Sequence, residues 1–311
     1  MKHTTVVHQT VQGFSTIGLR SVAAELLMVP ELGGRVISLR NLKTGREWLW
    51  HQDRPDWLWA NRSGDSFGVS PQAGIDECVP TVAPCNFRGR NIPDHGEVWY
   101  RKWELDQIAL EKQVLKATMN LPISRMVFSR AIQIKDDTTF LFEYDLENLG
   151  PSEEPYIWSL HPLKTIMDGD VLELPDEVTS LRLDGGLGVP ITRGDTWAYP
   201  EPFPGIRLDR CQVPGQVDER CVKGFAGPLK SGRAAIRNTF LGDRLEIRWD
   251  TTAVPYLGLW INRGLSGFHH AALEPCTGIP DSLAIAAQDW KQVKTIKSGE
   301  KIHWSLSISI L

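Results

Sequence analysis

Apolar and polar residues alternate with a period of two along much of the chain. In Phe140-Leu141-Phe142-Glu143-Tyr144-Asp145-Leu146-Glu147, every second side chain is aromatic or aliphatic, and the residues between are mostly acidic. Arg244 to Asp250 alternates without a break, and so does Lys301 to Ile310. This is the pattern of strands with one wet face and one core face. Val36–Leu39 and Met126–Ile134 read as further strands. Turn signals separate the runs: Pro30 to Gly34, Lys43-Thr44-Gly45, Lys135-Asp136-Asp137, Asn148 to Pro151 and Lys297 to Glu300. No stretch sustains a helical stripe, though Asp281 to Ala287 could form a short helix capped by Asp281 or Ser282. Many short strands with turns between them predict an all-β sandwich or barrel.

Two regions break the alternation. Residues 50 to 97 mix Trp, Gly, Pro, Asp and Cys, and residues 184 to 224 are rich in Gly, Pro and Arg. Long irregular loops on a β scaffold are the usual carriers of function. No repeat, low-complexity tract or linker interrupts residues 1–311, so one domain is expected.

Bulk numbers narrow the function. The net charge is -4, with no lysine run, which argues against nucleic acid. No segment approaches the ~20 apolar residues of a membrane helix. Met1 to Thr10 lacks a signal-peptide core, so the cytoplasm is the default expectation. Cys78, Cys85, Cys211, Cys221 and Cys276 are odd in number and widely spaced, which argues against a disulfide framework and, without any CxxC pair, against structural zinc. The chain has 12 Trp residues. Most can be core and sheet aromatics. Some, with Trp99 and Trp260 as candidates, can stack on the C–H face of a sugar.

GxGxxG, P-loop, HExxH and GxSxG motifs are all missing. Three segments carry candidate chemistry. Gly74 to Pro80 and Pro93 to Trp103 gather Asp76, Glu77, His95, Glu97, Arg101 and aromatics. Trp158-Ser159-Leu160-His161-Pro162 sets a histidine in an apolar run after a strand. Leu259-Trp260-Ile261-Asn262 and Ala272 to Gly278 isolate Glu274 among apolar and small residues. A carboxylate that takes a proton and an imidazole that gives one suffice for acid–base chemistry at an oxygen near neutral pH.

These segments resemble the aldose 1-epimerase (mutarotase) superfamily, and within it the branch near the hexose-6-phosphate epimerases. Pro93-Asp94-His95-Gly96 with Arg101 and Trp103 is similar to that branch's His-Gly…Arg…Trp segment. Trp158 to Pro162 is similar to the second histidine motif, and Leu273 to Gly278 with Pro280-Asp281 to the catalytic glutamate segment. The resemblance implies a galactose mutarotase-like β-supersandwich with a site on the concave face of the larger sheet. It also implies a small sugar as substrate and no cofactor, because only protons move. Glu274 would take the proton from the anomeric hydroxyl, His161 would protonate the ring oxygen, and His95 would stabilise charge there. Arg35, Asp76, Trp99, Arg101, Asp218 and Trp260 are candidates for substrate contacts. One departure is visible: Pro162-Leu163-Lys164 stands where typical sugar mutarotases continue with Tyr-Phe-Asn.

Other readings of the same residues stay open. His161 could be a satisfied core imidazole, and His95 a turn residue. Glu274 could pair with Arg263 or Lys223. Arg101 could hold an anionic substrate group or pair with Glu97 or Asp94, and Arg35 could do either kind of job. His269 and His270 are adjacent, so on a strand they face opposite ways. The competing functions are a sugar-binding protein without turnover and a cupin-type metal enzyme using His95, Glu97 and His161.

Overall fold

The computed structural model describes residues 4–188, 191–210 and 219–311. The alternating segments form two antiparallel sheets. Among the described residues, the larger has 12 strands. Its middle runs Arg35–Asn41, Ile75–Cys78, Ser159–Pro162, His269–Cys276, Tyr256–Arg263, Arg220–Ala226 and Ser180–Leu187. The smaller has seven and contains Met126–Asp136, Thr139–Asn148, Arg244–Trp249 and Lys301–Ile310. The acidic positions of Thr139–Asn148 lie on its wet face, while Phe140, Phe142, Tyr144 and Leu146 are at most 1% exposed.

One hydrophobic core fills the space between the sheets. Leu257, Leu259, Ile261, Ala271 and Leu273 enter it from the large sheet, and Phe128, Phe142, Leu306 and Ile308 from the small one. Trp48, Trp57, Trp99, Trp103, Trp158, Trp249 and Trp304 are buried, so most of the indoles serve packing. A charged group is enclosed with them. Glu77 accepts hydrogen bonds from Arg130 Nη1 (3.1 Å), Tyr144 Oη (3.0 Å) and Trp158 Nε1 (2.8 Å). Burial raises its pKa despite these donors.

Lys164 also points into the core. It is registered opposite Ala271, is 1% exposed, and its Nζ makes no hydrogen bond. Burial, only partly offset by Glu274, pulls its pKa down to about 7. The unfolded chain keeps that proton to about 10.4. Between these values the unfolded state binds more protons, so this lysine makes stability rise with pH. Relative to Lys164→Met, the wild-type urea midpoint should therefore climb from pH 7 to 10. A gap that stays constant over that range would contradict this placement.

The expected helix after Asp281 forms, but only its first part is α-helical and it lacks the expected cap. Leu283–Ile285 is helical and Ala286–Trp290 widens into a π turn, with no side-chain cap at Ser282. Asp281 does not cap it either; its carboxylate turns toward Lys223 instead.

Candidate functional site

Because Leu257, Leu259, Ile261, Leu273 and Ala271 face the core, the alternate residues of those strands face the other side of the large sheet. Gly258, Trp260 and Asn262 share that outer face with Glu274, Ala272 and His270, in register Gly258↔Glu274, Trp260↔Ala272 and Asn262↔His270. The pairing Ser159↔Cys276 brings His161 beside Glu274 from the next strand. Lys223, registered against Trp260, reaches in from the other side.

The carboxylate of Glu274 is the hub. Its Oε2 accepts a hydrogen bond from Lys223 Nζ, which also lies 3.3 Å from Asp281 Oδ2. Its Oε1 lies 3.8 Å from His161 Nε2 and accepts no hydrogen bond within the chain. Glycine at 258 leaves the space this pair needs, since a Cβ there would stand 3.1 Å from Glu274 Oε2. Glu274 is 0% exposed and lies beneath Lys223 and His161.

Above them opens a cavity of about 410 Å³. Lys223, His161, His95, Asp281, Phe67 and Trp260 are among its walls. That volume suits a small ligand.

His95 is delivered by a strained turn. It has φ 55° and Gly96 has φ 74°. A Cβ on residue 96 would fall 2.0 Å from the Val79 carbonyl oxygen, so glycine is required there. The turn is fastened by His95 N–H to Val82 O (2.7 Å) and Glu97 N–H to Val79 O (2.8 Å). His95 Nδ1 donates to Asp94 Oδ1 at 2.7 Å, and its ring stacks on Phe67 at 4.2 Å. Its Nε2 is left without a partner, in the cavity wall, and its ring centre is 4.8 Å from that of His161. Gly96→Ala should displace His95 from the cavity wall and weaken whatever the cavity binds or converts, at a stability cost of roughly 1–3 kcal/mol. Unchanged kinetics and melting would contradict this role for the turn.

Charges here are tuned by burial and by each other. Burial, aided by the positive charge of Lys223, holds His161 well below its ordinary pKa, so it is neutral at pH 7. Burial alone would lower Lys223, but Asp281 and Glu274 outweigh it and keep the ammonium charged. Burial, with Glu274 and Asp184 nearby, pushes Asp281 up to about 7 against the pull of Lys223. Burial would also raise Asp94, but the hydrogen bond from His95 brings it below the usual carboxylate range.

The structure thus gathers His95, His161, Glu274 and Trp260. Of the two partners considered for Glu274, the one in place is Lys223. The other described candidates do not line the cavity. Arg35 and Asp76 form a fully buried pair, with Arg35 Nε donating to Asp76 Oδ1 at 2.7 Å and Nη1 donating to Pro71 O. Asp76 is registered directly opposite His161, so this pair borders the site without lining the cavity. Trp99 is 1% exposed and packs its ring 5.1 Å from His95. Arg101 donates to the Asn120 carbonyl and is not in the cavity wall. Asp218 lies outside the described residues. Glu97, proposed above as a metal ligand, instead accepts from the backbone N–H groups of Ile123 and Ser124. The His95–Gly96 turn breaks the strand alternation that would have placed Glu97 beside His95. Among the described residues, no three His, Cys, Asp or Glu side chains form a group able to hold a metal.

Sequence reasoning overlooked Phe67 and gave neither Asp281 nor Lys223 a place in the cavity wall. Lys223 was detectable: Val222 is a core position, so its neighbour had to face outward beside Glu274. Asp281 was hidden by its resemblance to a helix cap.

The sequence matches no protein-family model. It also matches no curated protein. Solved structures do match. A putative aldose 1-epimerase from Klebsiella pneumoniae superposes with a TM-score of 0.72 at 16% identity, over 99% of this chain and 82% of that one. A galactose mutarotase-like protein from Lactobacillus casei gives 0.67 at 18%, over 95% and 100%. A putative aldose 1-epimerase from Escherichia coli gives 0.66 at 15%, over 99% of both chains. With two antiparallel sheets in the same arrangement across nearly its whole length, the chain has the galactose mutarotase-like fold.

Proposed function

We propose that this protein is an isomerase that interconverts the α and β anomers of a sugar by acid–base ring opening. The observation that carries the reading is the pair of Glu274 Oε1 and His161 Nε2, 3.8 Å apart with Oε1 unpartnered, in which His161 lines a ligand-sized cavity and Glu274 lies buried behind it. The anomeric hydroxyl and the ring oxygen are bonded to one carbon, so both can meet this pair at once. Glu274 takes the O1 proton, the C1–O5 bond breaks, and O5 takes a proton from His161 Nε2. The proton on Glu274 then replaces the one His161 gave. Rotation about C1–C2 and the reverse steps close the ring on its other face.

His161 acts as a neutral imidazole. A neutral N–H donor can polarise an oxygen in a closed site. Lys223 supports it by keeping positive charge near the developing alkoxide. Because Lys223 also covers Glu274, its ammonium must lean toward Asp281 for a sugar to reach Oε1. Asp281 draws it best when ionised. The rate should therefore rise between pH 6 and 8 with an inflection near 7, as Asp281, pushed up to about 7, loses its proton. Asp281→Asn should remove that inflection. A profile that is flat in the wild type, or identical in the variant, would contradict the assignment.

A second reading has its own observation. The Lys223–Glu274 ion pair occupies one oxygen of the carboxylate, as suits a site that binds a sugar without turnover. Polarimetry of freshly dissolved α-anomers, free and 6-phosphorylated, separates the two. Equilibration at least tenfold above buffer supports the isomerase. Binding of a sugar with no acceleration supports the binder.

A further inference from the structure

Trp260 is held in place by a second group of residues that the chemistry above does not use. Its Nε1 donates to His270 Nε2 at 3.2 Å. Burial lowers the His270 pKa to about 3, so that nitrogen remains an acceptor. His270 stacks on Trp50 with ring centres 4.5 Å apart and planes at 21°, and Trp50 meets Phe268 edge-on at 5.2 Å. Ala272, registered opposite Trp260, is small enough for the indole to lie over it. Trp50, Trp260 and Phe268 are each half-buried. The outcome is a strip of rings along one sheet face, starting in the cavity wall at Trp260 and leading away from Glu274.

The spacing has a chemical meaning. Glu274, Ala272 and His270 are successive outward residues of one strand, and each step is about 7 Å. Trp260 therefore lies one step from the reacting centre, and the Trp50–His270–Phe268 group two. Polar atoms accompany the rings: Asn262 Oδ1 and His270 Nδ1 are buried, make no hydrogen bond within the chain, and belong to outward-facing residues 4% and 1% exposed. Flat aromatic faces with hydrogen-bonding atoms beside them fit a ring that has both C–H faces and hydroxyls.

We propose that the Trp260–His270–Trp50–Phe268 strip is a subsite for a second pyranose ring, so that the preferred ligand is a reducing disaccharide with its reducing end over Glu274 and His161. The placement of the reducing end rests on the isomerase reading; the strip itself does not. Trp260 is the end of the strip next to the first ring, and Trp50 with Phe268 the far end. His270 is a positioning residue that fixes the plane of Trp260.

The test is calorimetric titration with maltose, cellobiose and lactose against glucose and galactose. At least one disaccharide should bind tenfold or more tightly than its component sugars, and Trp50→Ala should erase that advantage while Trp50→Phe keeps part of it. Phe268→Ala provides the same readout if Trp50→Ala does not fold. No disaccharide preference in the wild type, or a preference that survives these changes, would overturn the proposal. A preference without anomer turnover would retain the subsite and remove the isomerase reading.

Discussion

Replacing Glu274 by Gln should slow anomer equilibration by about 10²–10⁴-fold, the usual contribution of a positioned proton-transfer group. The substitution keeps the shape of the side chain but removes the oxygen that can take the O1 proton. It also releases Lys223, whose ammonium then has Asp281 as its remaining acidic partner at the site. Two consequences separate a lost base from a damaged fold. The affinity for sugar should change less than the rate. Thermal stability should fall by less than for a buried cation left wholly unpaired, because Lys223 keeps the Asp281 carboxylate at 3.3 Å. Full activity in Glu274→Gln would move the base to another carboxylate that lines the cavity, Asp281 being the one paired with Lys223.

The largest stability effect is expected between the sheets. Glu77→Ala should destabilise the protein by about 3–5 kcal/mol, because it leaves the Arg130 guanidinium buried and uncompensated. Arg130 Nη2 would keep its bond to the Gly34 carbonyl at 2.5 Å, but that oxygen carries no full charge. Tyr144 and Trp158 would each lose a hydrogen-bond partner as well. The double change Glu77→Leu with Arg130→Met should recover much of the loss, since two apolar side chains need no partners. Urea denaturation of the single and double variants measures both numbers. A single variant within 1 kcal/mol of wild type would refute the importance of this network.

Strands were legible in the sequence because a sheet with one wet face writes its period into the chain. Thr139–Asn148, Arg244–Trp249 and Lys301–Ile310 carry that period and form where it predicts. The large sheet was harder to read. Ala24–Val29 and Ile75–Cys78 are buried throughout, so no alternation marks them. In the site, His95, His161 and Glu274 were legible from their motifs, while their meeting depends on the register of strands far apart in sequence. Arg35 and Asp76 look like ligand-binding residues in sequence because an internal ion pair uses the same residue types. Glu97 stands two residues after His95, but the turn between them has positive φ at His95 and Gly96, so the two side chains do not share a strand face. Asp281 shows the opposite failure: an acidic residue before a helix usually caps it, and here a lysine from another strand draws it away.

A crystal structure with the sugar that equilibrates fastest would examine the central claim most directly. The proposal places the anomeric oxygen against Glu274 Oε1 and the ring oxygen against His161 Nε2, with Lys223 swung toward Asp281. A bound sugar whose C1 lies beyond reach of both groups, or a Glu274 still covered by Lys223 with the sugar in place, would contradict it.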